Sequence, residues 1–294
     1  MKSALENSFF STNETLNIQG RLFDLRTPCI MAVLNVTPDS FYDGGRYQTE
    51  STILNQVEKI LDEGATFIDV GAYSSRPGAS HISVEEEMRR ALFAIKTIIR
   101  NFPKALLSID TFRSQVALAA INEGACMVND ISAGEQDPKM FETVAGVGVP
   151  YIAMHMRGNP STMTALTNYE NLLKEMVSYF QQKLHQLKQL GVKDVIIDPG
   201  FGFSKTVEQN YYILNHLDHL NVLGKPMIVG LSRKSMIWKT LSISADRALN
   251  GTTSLNTIAL IRGTNILRVH DVKEAMEVIK LYLALRSSNN VIDH

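Results

Sequence analysis

Eight short apolar runs lie along the chain, and each ends at or near a polar or charged residue. Short runs rich in Val and Ile are typical of strands that are buried on both faces of a parallel sheet. The residues at these ends are Asn35, Asp69, Asp110, Asn129, His155, Asp198, Ser232 and Arg268. We therefore predict eight parallel strands, each of which brings one functional group to the same end of the fold.

The segments between the runs are typical of helices with one apolar face. Apolar residues recur at three-to-four spacing over residues 84–99 and 173–190, which is the repeat of an amphipathic helix. Alternating strands and helices leave two main architectures, an open doubly wound sheet or a closed barrel. Eight units favour the barrel, as does the absence of a G-x-G-x-x-G turn after the first strand.

The predicted fold is therefore α/β, a (β/α)8 TIM barrel with a short N-terminal β-hairpin. Residues 15–25 alternate between apolar and polar around Gln19-Gly20, which predicts a hairpin that plugs one end of the barrel. No linker or low-complexity segment interrupts the pattern, so residues 1–294 are predicted to form a single domain. Residues 1–14 are predicted to be a flexible tail.

Composition excludes several classes of function. The 294 residues carry a net charge of −1, which offers no basic face to nucleic acid. No run has the length of a membrane span, and the first fifteen residues lack the pattern of a signal peptide. The two cysteines, Cys29 and Cys126, have no metal-ligand spacing and are predicted to be small buried side chains. We expect a cytoplasmic protein without nucleic-acid or membrane partners.

Three of the polar ends present acceptors for hydrogen bonds. Asp110 and Asp198 each follow an apolar run, where a carboxylate requires several donors. A flat heterocycle with an amino group beside a ring N–H offers such donors, and the amide of Asn129 extends the same recognition. For Asp110, capping of the following helix is an equally strong interpretation. Asp198 is followed by Pro-Gly-Phe-Gly-Phe, in which Phe203 offers an aromatic wall.

A second group is cationic. Arg268 and His270 in RVHD and Arg76 in SSRPGAS offer contacts to an anion, and an arginine also stacks on a ring. Lys234 in LSRKS is predicted to open a helix and to reach inward as a point charge. For Arg233 alone, a solvated surface position is preferred.

The loop after the first barrel strand has the composition of a lid. Asn35 supplies a hard oxygen, which together with phosphate oxygens and water suits Mg²⁺ better than zinc. A turn is a strong alternative role for Asp39 and Asp43. His155 is predicted to be packed and hydrogen-bonded rather than to bind a metal, with the neighbouring methionines, Met154 among them, lining a pocket wall.

Eight motifs in a fixed order identify a family resemblance. From residue 28 to about residue 271 the chain is similar to the dihydropteroate synthase family of the folate pathway, through NVTPDSF, SSRPGA, SIDT, VND, MHM, DPGFGF, GLSRKS and RVHD. The resemblance implies a barrel that condenses 6-hydroxymethyl-7,8-dihydropterin pyrophosphate with 4-aminobenzoate. The products are 7,8-dihydropteroate and pyrophosphate. It also implies Mg²⁺ as cofactor and a homodimer.

The resemblance further implies a role for each matching residue. Those implied to hold the pterin are Asp110, Asn129, Asp198 and Lys234, with Arg268 stacked on its face. Met154 is predicted to be a further substrate-binding residue. Those implied to hold pyrophosphate are Asn35, Arg268 and His270, with Asn35 also on Mg²⁺. Those implied to form the aminobenzoate side are Ser75, Arg76, Pro77, Phe203 and Ser232. The residues implied in catalysis are Asn35, Asp39, Asp110, Lys234 and Arg268, through ionisation of the pterin substrate before the amine attacks.

One departure from the family stands in the SSRPGA motif. The family commonly has an acidic residue followed by Ser-Thr before Arg-Pro, whereas this chain has Tyr73-Ser74-Ser75. The affinity for aminobenzoate or a sulfonamide is therefore the property most open to change. Two further functions compete with the synthase: a pterin-binding methyltransferase that passes a methyl group from a folate to a corrinoid, and a non-catalytic pterin-binding paralogue.

Overall fold

A computed structural model describes residues 14–36, 50–74 and 81–288 of the protein. The predicted tail, except for Glu14, lies outside these residues. The hairpin consists of β1 (Thr15–Ile18) and β2 (Arg21–Asp24). The strands of the barrel are β3 (Cys29–Asn35), β4 (Phe67–Gly71), β5 (Leu106–Asp110), β6 (Met127–Asp130), β7 (Tyr151–Met154), β8 (Val195–Asp198), β9 (Ile228–Val229) and β10 (Ile266–Val269).

The eight barrel strands are parallel, in the order β8-β7-β6-β5-β4-β3-β10-β9. A single parallel bridge between Ile197 of β8 and Met227 closes the ring within the described residues. There the Ile197 amide donates to the carbonyl oxygen of Pro226 at 3.0 Å. The predicted (β/α)8 barrel with an N-terminal hairpin is confirmed.

Helices connect successive strands on the outside of the barrel. In chain order they are α1 (Glu50–Asp62), α2 (Val84–Asn101), α3 (Ser114–Asn122), α4 (Met140–Val147), α5 (Leu172–Gln189), α6 (Val207–Asn215), α7 (Ser235–Thr240), α8 (Leu249–Ile261) and α9 (Val272–Ser288). Both helices predicted from their periodicity are present as α2 and α5. No helix in the described ranges is long and apolar enough to cross a membrane.

Local capping explains where the two predicted helices begin. The Ser83 hydroxyl accepts from the Glu86 amide before α2, and the Asn171 side chain accepts from the Lys174 amide before α5. Each cap satisfies a backbone N–H that has no partner within the helix. The Ser83 cap before α2 holds the last residue of the segment that joins β4 to α2.

The hairpin covers the end of the barrel at which the strands begin. Its turn places Gln19 and Gly20 at φ 51° and 82°, the left-handed values of a type I′ turn. Leu16 and Leu25 are fully buried in an apolar cluster with the first residues of the barrel strands, including Cys29. Cys126, from the segment just before β6, is buried in the same cluster. The opposite end, where the strands finish, is left for the functional groups.

Truncation of Leu16 tests the role of the hairpin as a plug. Leu16→Ala removes a fully buried side chain, so we expect it to lower the free energy of unfolding by about 2–5 kcal/mol. Leu22→Ala is the matched control because Leu22 lies in the same hairpin and is 82% exposed; its effect should stay within about 0.5 kcal/mol. Urea unfolding measures both, and equal effects would contradict the packing described here.

Candidate active site

The mouth of the barrel collects the predicted residues from seven of its eight strands. Parallel strands of a closed barrel end on the same rim, and each residue lies within or shortly after a strand. From β3 to β10 these are Asn35, Asp110, Asn129, Met154, Asp198, Phe203, Ser232, Lys234, Arg268 and His270. β4 contributes Asp69, which no predicted role included. Asp39, Ser75, Arg76 and Pro77 lie outside the described residues, as does Asp43.

Arg268 occupies the centre of the mouth. Its Nε donates to Asp69 Oδ2 at 2.7 Å, and its Nη2 donates to Asp110 Oδ2 at 2.6 Å. Burial opposes the charge of the guanidinium, but the two carboxylates outweigh burial and raise the pKa of Arg268. Burial also raises the pKa of the Asp110 carboxyl, and the Arg268 charge opposes that rise. Arg268 and Asp110 therefore each favour the ionised form of the other.

Asp69 orients a second predicted residue. The Asn129 Nδ2 donates to Asp69 Oδ2 at 2.7 Å, and both side chains are buried. A carboxylate accepts only, so this bond identifies the amide nitrogen and turns Asn129 Oδ1 toward other partners. An acid within the apolar run FIDVG is the sequence signal for Asp69. Its role was missed because no pattern in the chain specifies the partner of a buried carboxylate.

Asp198 is held by the loop that follows β8. Its Oδ1 accepts from the Gly200 amide at 2.8 Å. Burial raises the pKa of Asp198, while that hydrogen bond and the charges of Lys234 and Arg268 lower it. Gly200 has φ +69°, and a Cβ there would lie 2.2 Å from the His155 carbonyl oxygen. Only glycine fits this close approach between the two loops.

Lys234 and Phe203 meet at the side of the mouth formed by the loops after β8 and β9. Lys234 Nζ lies 4.4 Å from the centre of the Phe203 ring, a cation–π contact. Burial, followed by the charge of Arg268, lowers the pKa of Lys234 to about 8. Lys234 precedes α7 directly, as predicted. On the same side, Ser232 Oγ lies 3.0 Å from His270 Nδ1.

The methionines beside His155 are buried, and their lining of a pocket wall stays a prediction. Met154, Met156 and Met163 pack in one cluster with Ile131, and Phe203 packs against it. His155 is buried and hydrogen-bonded, which agrees with its prediction. Its partner is Lys205 Nζ, 3.0 Å from His155 Nδ1.

Two interpretations from the sequence are wrong. Capping of a helix by Asp110 is excluded because α3 begins at Ser114 with Arg113 as its N-cap residue. Arg233 is not a freely solvated side chain; its Nε and Nη2 donate to Asp271 at 3.0 and 2.7 Å. This pair holds the loop after β9 against the loop after β10.

Tyr73, which stands where the family commonly has an acid, joins a network beside the mouth. Its hydroxyl lies 3.1 Å from His81 Nδ1, and His81 Nε2 lies 3.2 Å from Arg113 Nη2. Arg113 Nη1 donates to the fully buried Glu87 at 2.7 Å. The Tyr73 hydroxyl thus links the chain before residues 75–80 to His81, which follows them.

Asn35 offers an amide oxygen beside Asp110. A Cβ on Gly71 would lie 3.3 Å from Asn35 Oδ1 and 3.6 Å from Asp110 Oδ2, so the absence of a side chain at Gly71 leaves room for both groups. No group of three or more His, Cys, Asp or Glu side chains suited to a metal occurs in the described residues. This donor set fits an ion that takes most of its ligands from water and substrate, as Mg²⁺ does.

Comparisons with known proteins show the family to which the chain belongs. The family model for pterin binding enzymes matches residues 31–270. Dihydropteroate synthase from Escherichia coli is 38% identical over 272 residues, covering 92% of this chain and 96% of that enzyme. The Synechocystis enzyme of the same name is 40% identical over 259 residues, covering 87% and 89%.

Solved structures agree as well. A Yersinia pestis dihydropteroate synthase in complex with a sulfonamide drug superposes with a TM-score of 0.87 at 36% identity, covering 93% of this chain and 99% of that one. A Xanthomonas albilineans dihydropteroate synthase with 4-aminobenzoic acid gives 0.86 at 34% identity, covering 94% and 99%. The resemblance predicted from the motifs is confirmed, and the chain belongs to the dihydropteroate synthase family of pterin binding enzymes.

Proposed function

We propose that this chain condenses 6-hydroxymethyl-7,8-dihydropterin pyrophosphate with 4-aminobenzoate to give 7,8-dihydropteroate and pyrophosphate. The observation that carries the pterin assignment is a set of three acceptors. Asp110 and Asp198 each have one carboxylate oxygen bonded within the protein, and Asn129 has its nitrogen bonded to Asp69. The remaining oxygens suit a donor-rich heterocycle edge, such as the amino group and ring N–H of a pterin.

The cationic groups suit the departing pyrophosphate. Arg268 and Lys234 come from the last two barrel strands and the loops after them, so the positive charge is concentrated on one side of the mouth. Desolvation, followed by the charge of Arg268, lowers the pKa of His270 to about 4, so this residue offers the anion a neutral ring and not a charge. Preorganised charges stabilise a leaving anion without rearrangement of solvent. Arg268 also has the planar guanidinium needed to lie on a pterin face.

The aminobenzoate side adjoins these cations. Phe203 offers a ring face to the benzoate, and Ser232 offers a hydroxyl. From the sequence we add Ser75, Arg76 and Pro77 to this side, whereas we assign Asp39 to the catalytic group that offsets the positive charge of the pterin ring. Ser75 lacks the methyl group of the Thr common in the family, so aminobenzoate affinity is the property in which we expect this enzyme to differ.

The reaction proceeds by ionisation. The bond between the pterin methylene carbon and the pyrophosphate oxygen breaks, and pyrophosphate leaves with the electron pair. The methylene cation is delocalised over the pterin, where the carboxylates of Asp110 and Asp198 offset its charge. The aminobenzoate nitrogen then donates its lone pair to form the C–N bond and loses one proton. No protein nucleophile takes part.

Asn35 would hold Mg²⁺ through Oδ1, with substrate oxygens and water as the other ligands. When bound, the ion neutralises charge on the pyrophosphate and favours its departure. Asn35 itself acts at the edge of the mouth, where its amide also lies close to the Asp110 carboxylate.

An activity assay with a matched pair of variants tests the proposal. The wild-type protein with both substrates and Mg²⁺ should form dihydropteroate, and chelation of Mg²⁺ should abolish the activity. Asp198→Asn replaces an acceptor by a donor, so we expect a loss in pterin binding of about 1.5–3 kcal/mol by isothermal titration. Asp194→Asn, at the start of β8, is the control. Unchanged pterin affinity in Asp198→Asn would remove that assignment.

The pH dependence of binding tests Lys234. Because the pKa of Lys234 is lowered to about 8, its ammonium loses its proton as the pH rises through that value. Affinity for the pterin pyrophosphate should therefore fall between pH 7 and 9.5 in the wild type. Lys234→Arg keeps its charge throughout this range, so its affinity should change less with pH. Parallel curves for the two proteins, measured by isothermal titration, would exclude Lys234 as the titrating group.

A homodimer is part of the proposal, and an apolar surface supports it. α8 and α9 pack against each other and expose Ile258, Ile261, Leu281 and Leu285, the last two at 73% and 59%. Exposed apolar side chains on two adjacent helices are typical of an interface between subunits. The free, buried cysteines Cys29 and Cys126 suit the reducing cytoplasm in which we expect the enzyme.

Charge introduced on α9 tests the dimer. Leu281→Glu combined with Leu285→Glu should convert the wild-type dimer to a monomer, because each interface would bury four unpaired carboxylates. Leu22→Glu, which changes an exposed side chain of the hairpin, should leave the dimer intact. Light scattering after gel filtration measures the mass. A monomeric wild type, or a dimeric double variant, would contradict this surface as the interface.

A further inference from the structure

Lys205 is a buried lysine that the reaction does not use. The residue is only 8% exposed, and its Nζ lies close to four acceptors. These are Phe203 O at 3.0 Å, His155 Nδ1 at 3.0 Å, Gly200 O at 3.1 Å and His155 O at 3.3 Å. An ammonium is costly to bury unless its N–H groups are all bonded. The loops after β7 and β8 supply those partners between them.

His155 completes this arrangement. Burial, together with the charge of Lys205, holds the pKa of His155 well below its usual value, so the ring is neutral. A lysine ammonium only donates, and Nδ1 is therefore the unprotonated ring nitrogen. The His155 amide in turn donates to the Asp198 carbonyl at 2.9 Å. The histidine acts as an acceptor for Lys205 and not as a proton carrier.

The loop around Lys205 has an unusual backbone. Gly200, Gly202 and Ser204 have φ values of +69°, +80° and +48°, which lie in the left-handed region. For Ser204, a residue with a Cβ, this conformation is strained and persists only where neighbours hold it. The Arg157 amide donates to Ser204 Oγ at 3.0 Å, and the Tyr169 hydroxyl donates to Ser204 O at 3.0 Å. The ammonium holds the inner side of the same loop.

We propose that Lys205 is a positioning residue, whose ammonium fixes the loop of residues 199–204 against the end of β7 and thereby sets the Phe203 ring beside Lys234 for the second substrate. Nζ binds the carbonyl of Phe203 itself, while the ring of Phe203 faces Lys234. Asp198 is less dependent on Lys205, since the ladder between β7 and β8 holds its backbone. The assignment of Phe203 to the aminobenzoate side rests on the function proposed above.

A second role, as a counter-charge for Asp198, predicts a different outcome. The Asp198 carboxylate favours the charged form of Lys205, although burial is the larger effect and lowers the pKa of Lys205 to about 7. Lys234 and Arg157 are the other charges that affect it. A counter-charge would serve the pterin, which Asp198 binds, and an arginine would replace it. A positioning lysine serves aminobenzoate, and a planar guanidinium does not reproduce its contacts.

The experiment compares KM for each substrate in Lys205→Met, Lys205→Arg and the wild type. We expect KM for 4-aminobenzoate to rise by roughly 10- to 100-fold in both variants, because a small misplacement of a binding group has effects of this size. KM for the pterin should change less than about threefold, well below that range. Lys225→Met is the matched control, since Lys225 is half-buried just before β9, at the opposite end of the barrel. It should behave as the wild type.

Hydrogen exchange provides a readout that does not depend on activity. The amides of residues 199–206 should exchange faster in the Lys205 variants, with no change at β4 and β5. Equal changes in both KM values, rescue by Lys205→Arg, or unchanged exchange would overturn the proposal. If Lys205→Met does not fold, Lys205→Arg and Lys205→Gln carry the same readouts. A wild type that makes no dihydropteroate would refute the synthase reaction, and exchange alone would then decide the role of Lys205.

Discussion

The mouth of this barrel depends on the neutralisation of buried charge. Arg268 on β10 reaches Asp69 on β4 and Asp110 on β5, which are two and three strands away in the sheet. Contacts of this kind require a closed barrel, since in an open sheet the side chains would not face one another across an interior. Each ion pays a desolvation penalty that the others offset. The charge distribution of the site therefore depends on closure of the barrel, because only the closed barrel brings these ion pairs together.

Much of this could be predicted from the sequence because the signal was periodic or local. Strand number, helix faces, the hairpin and the rim positions follow from apolar spacing and from turn residues such as Gln19-Gly20. The exact partners do not. The sequence could not distinguish a ligand-binding role for Asp110 from a helix-capping role, because both place an acid after a strand. The side chain instead bonds to Arg268, which is 158 residues away in the chain. Lys205 gave no periodic signal, since its partners are mainly backbone carbonyls.

The two halves of the mouth are built differently. The acceptors Asp110 and Asn129 lie in strands at the centre of the sheet and are held by regular ladders on both sides. Phe203 and Lys234 lie in loops, where the chain must rely on glycines, on Ser204 in a strained conformation and on individual hydrogen bonds. The acceptors proposed to bind the pterin at β5 and β6 thus lie in the part of the mouth with regular pairing on both sides. The opposite half is constructed from side-chain to backbone contacts.

The single bridge between Ile197 of β8 and Met227, the residue before β9, is the weakest point in the ring of strands that the described residues form. β9 has only two residues in regular pairing, and the loops that follow β8 and β9 carry Phe203 and Lys234 on either side of this gap. Local opening follows the regions with the fewest backbone bonds. Local opening of the barrel between β8 and β9 would move the Phe203 ring away from the Lys234 ammonium. Asp110 and Asn129 would keep their positions in the ladder between β5 and β6. The contacts of Lys205 within the loop after β8 are therefore needed most at the edge of the barrel where strand pairing contributes least.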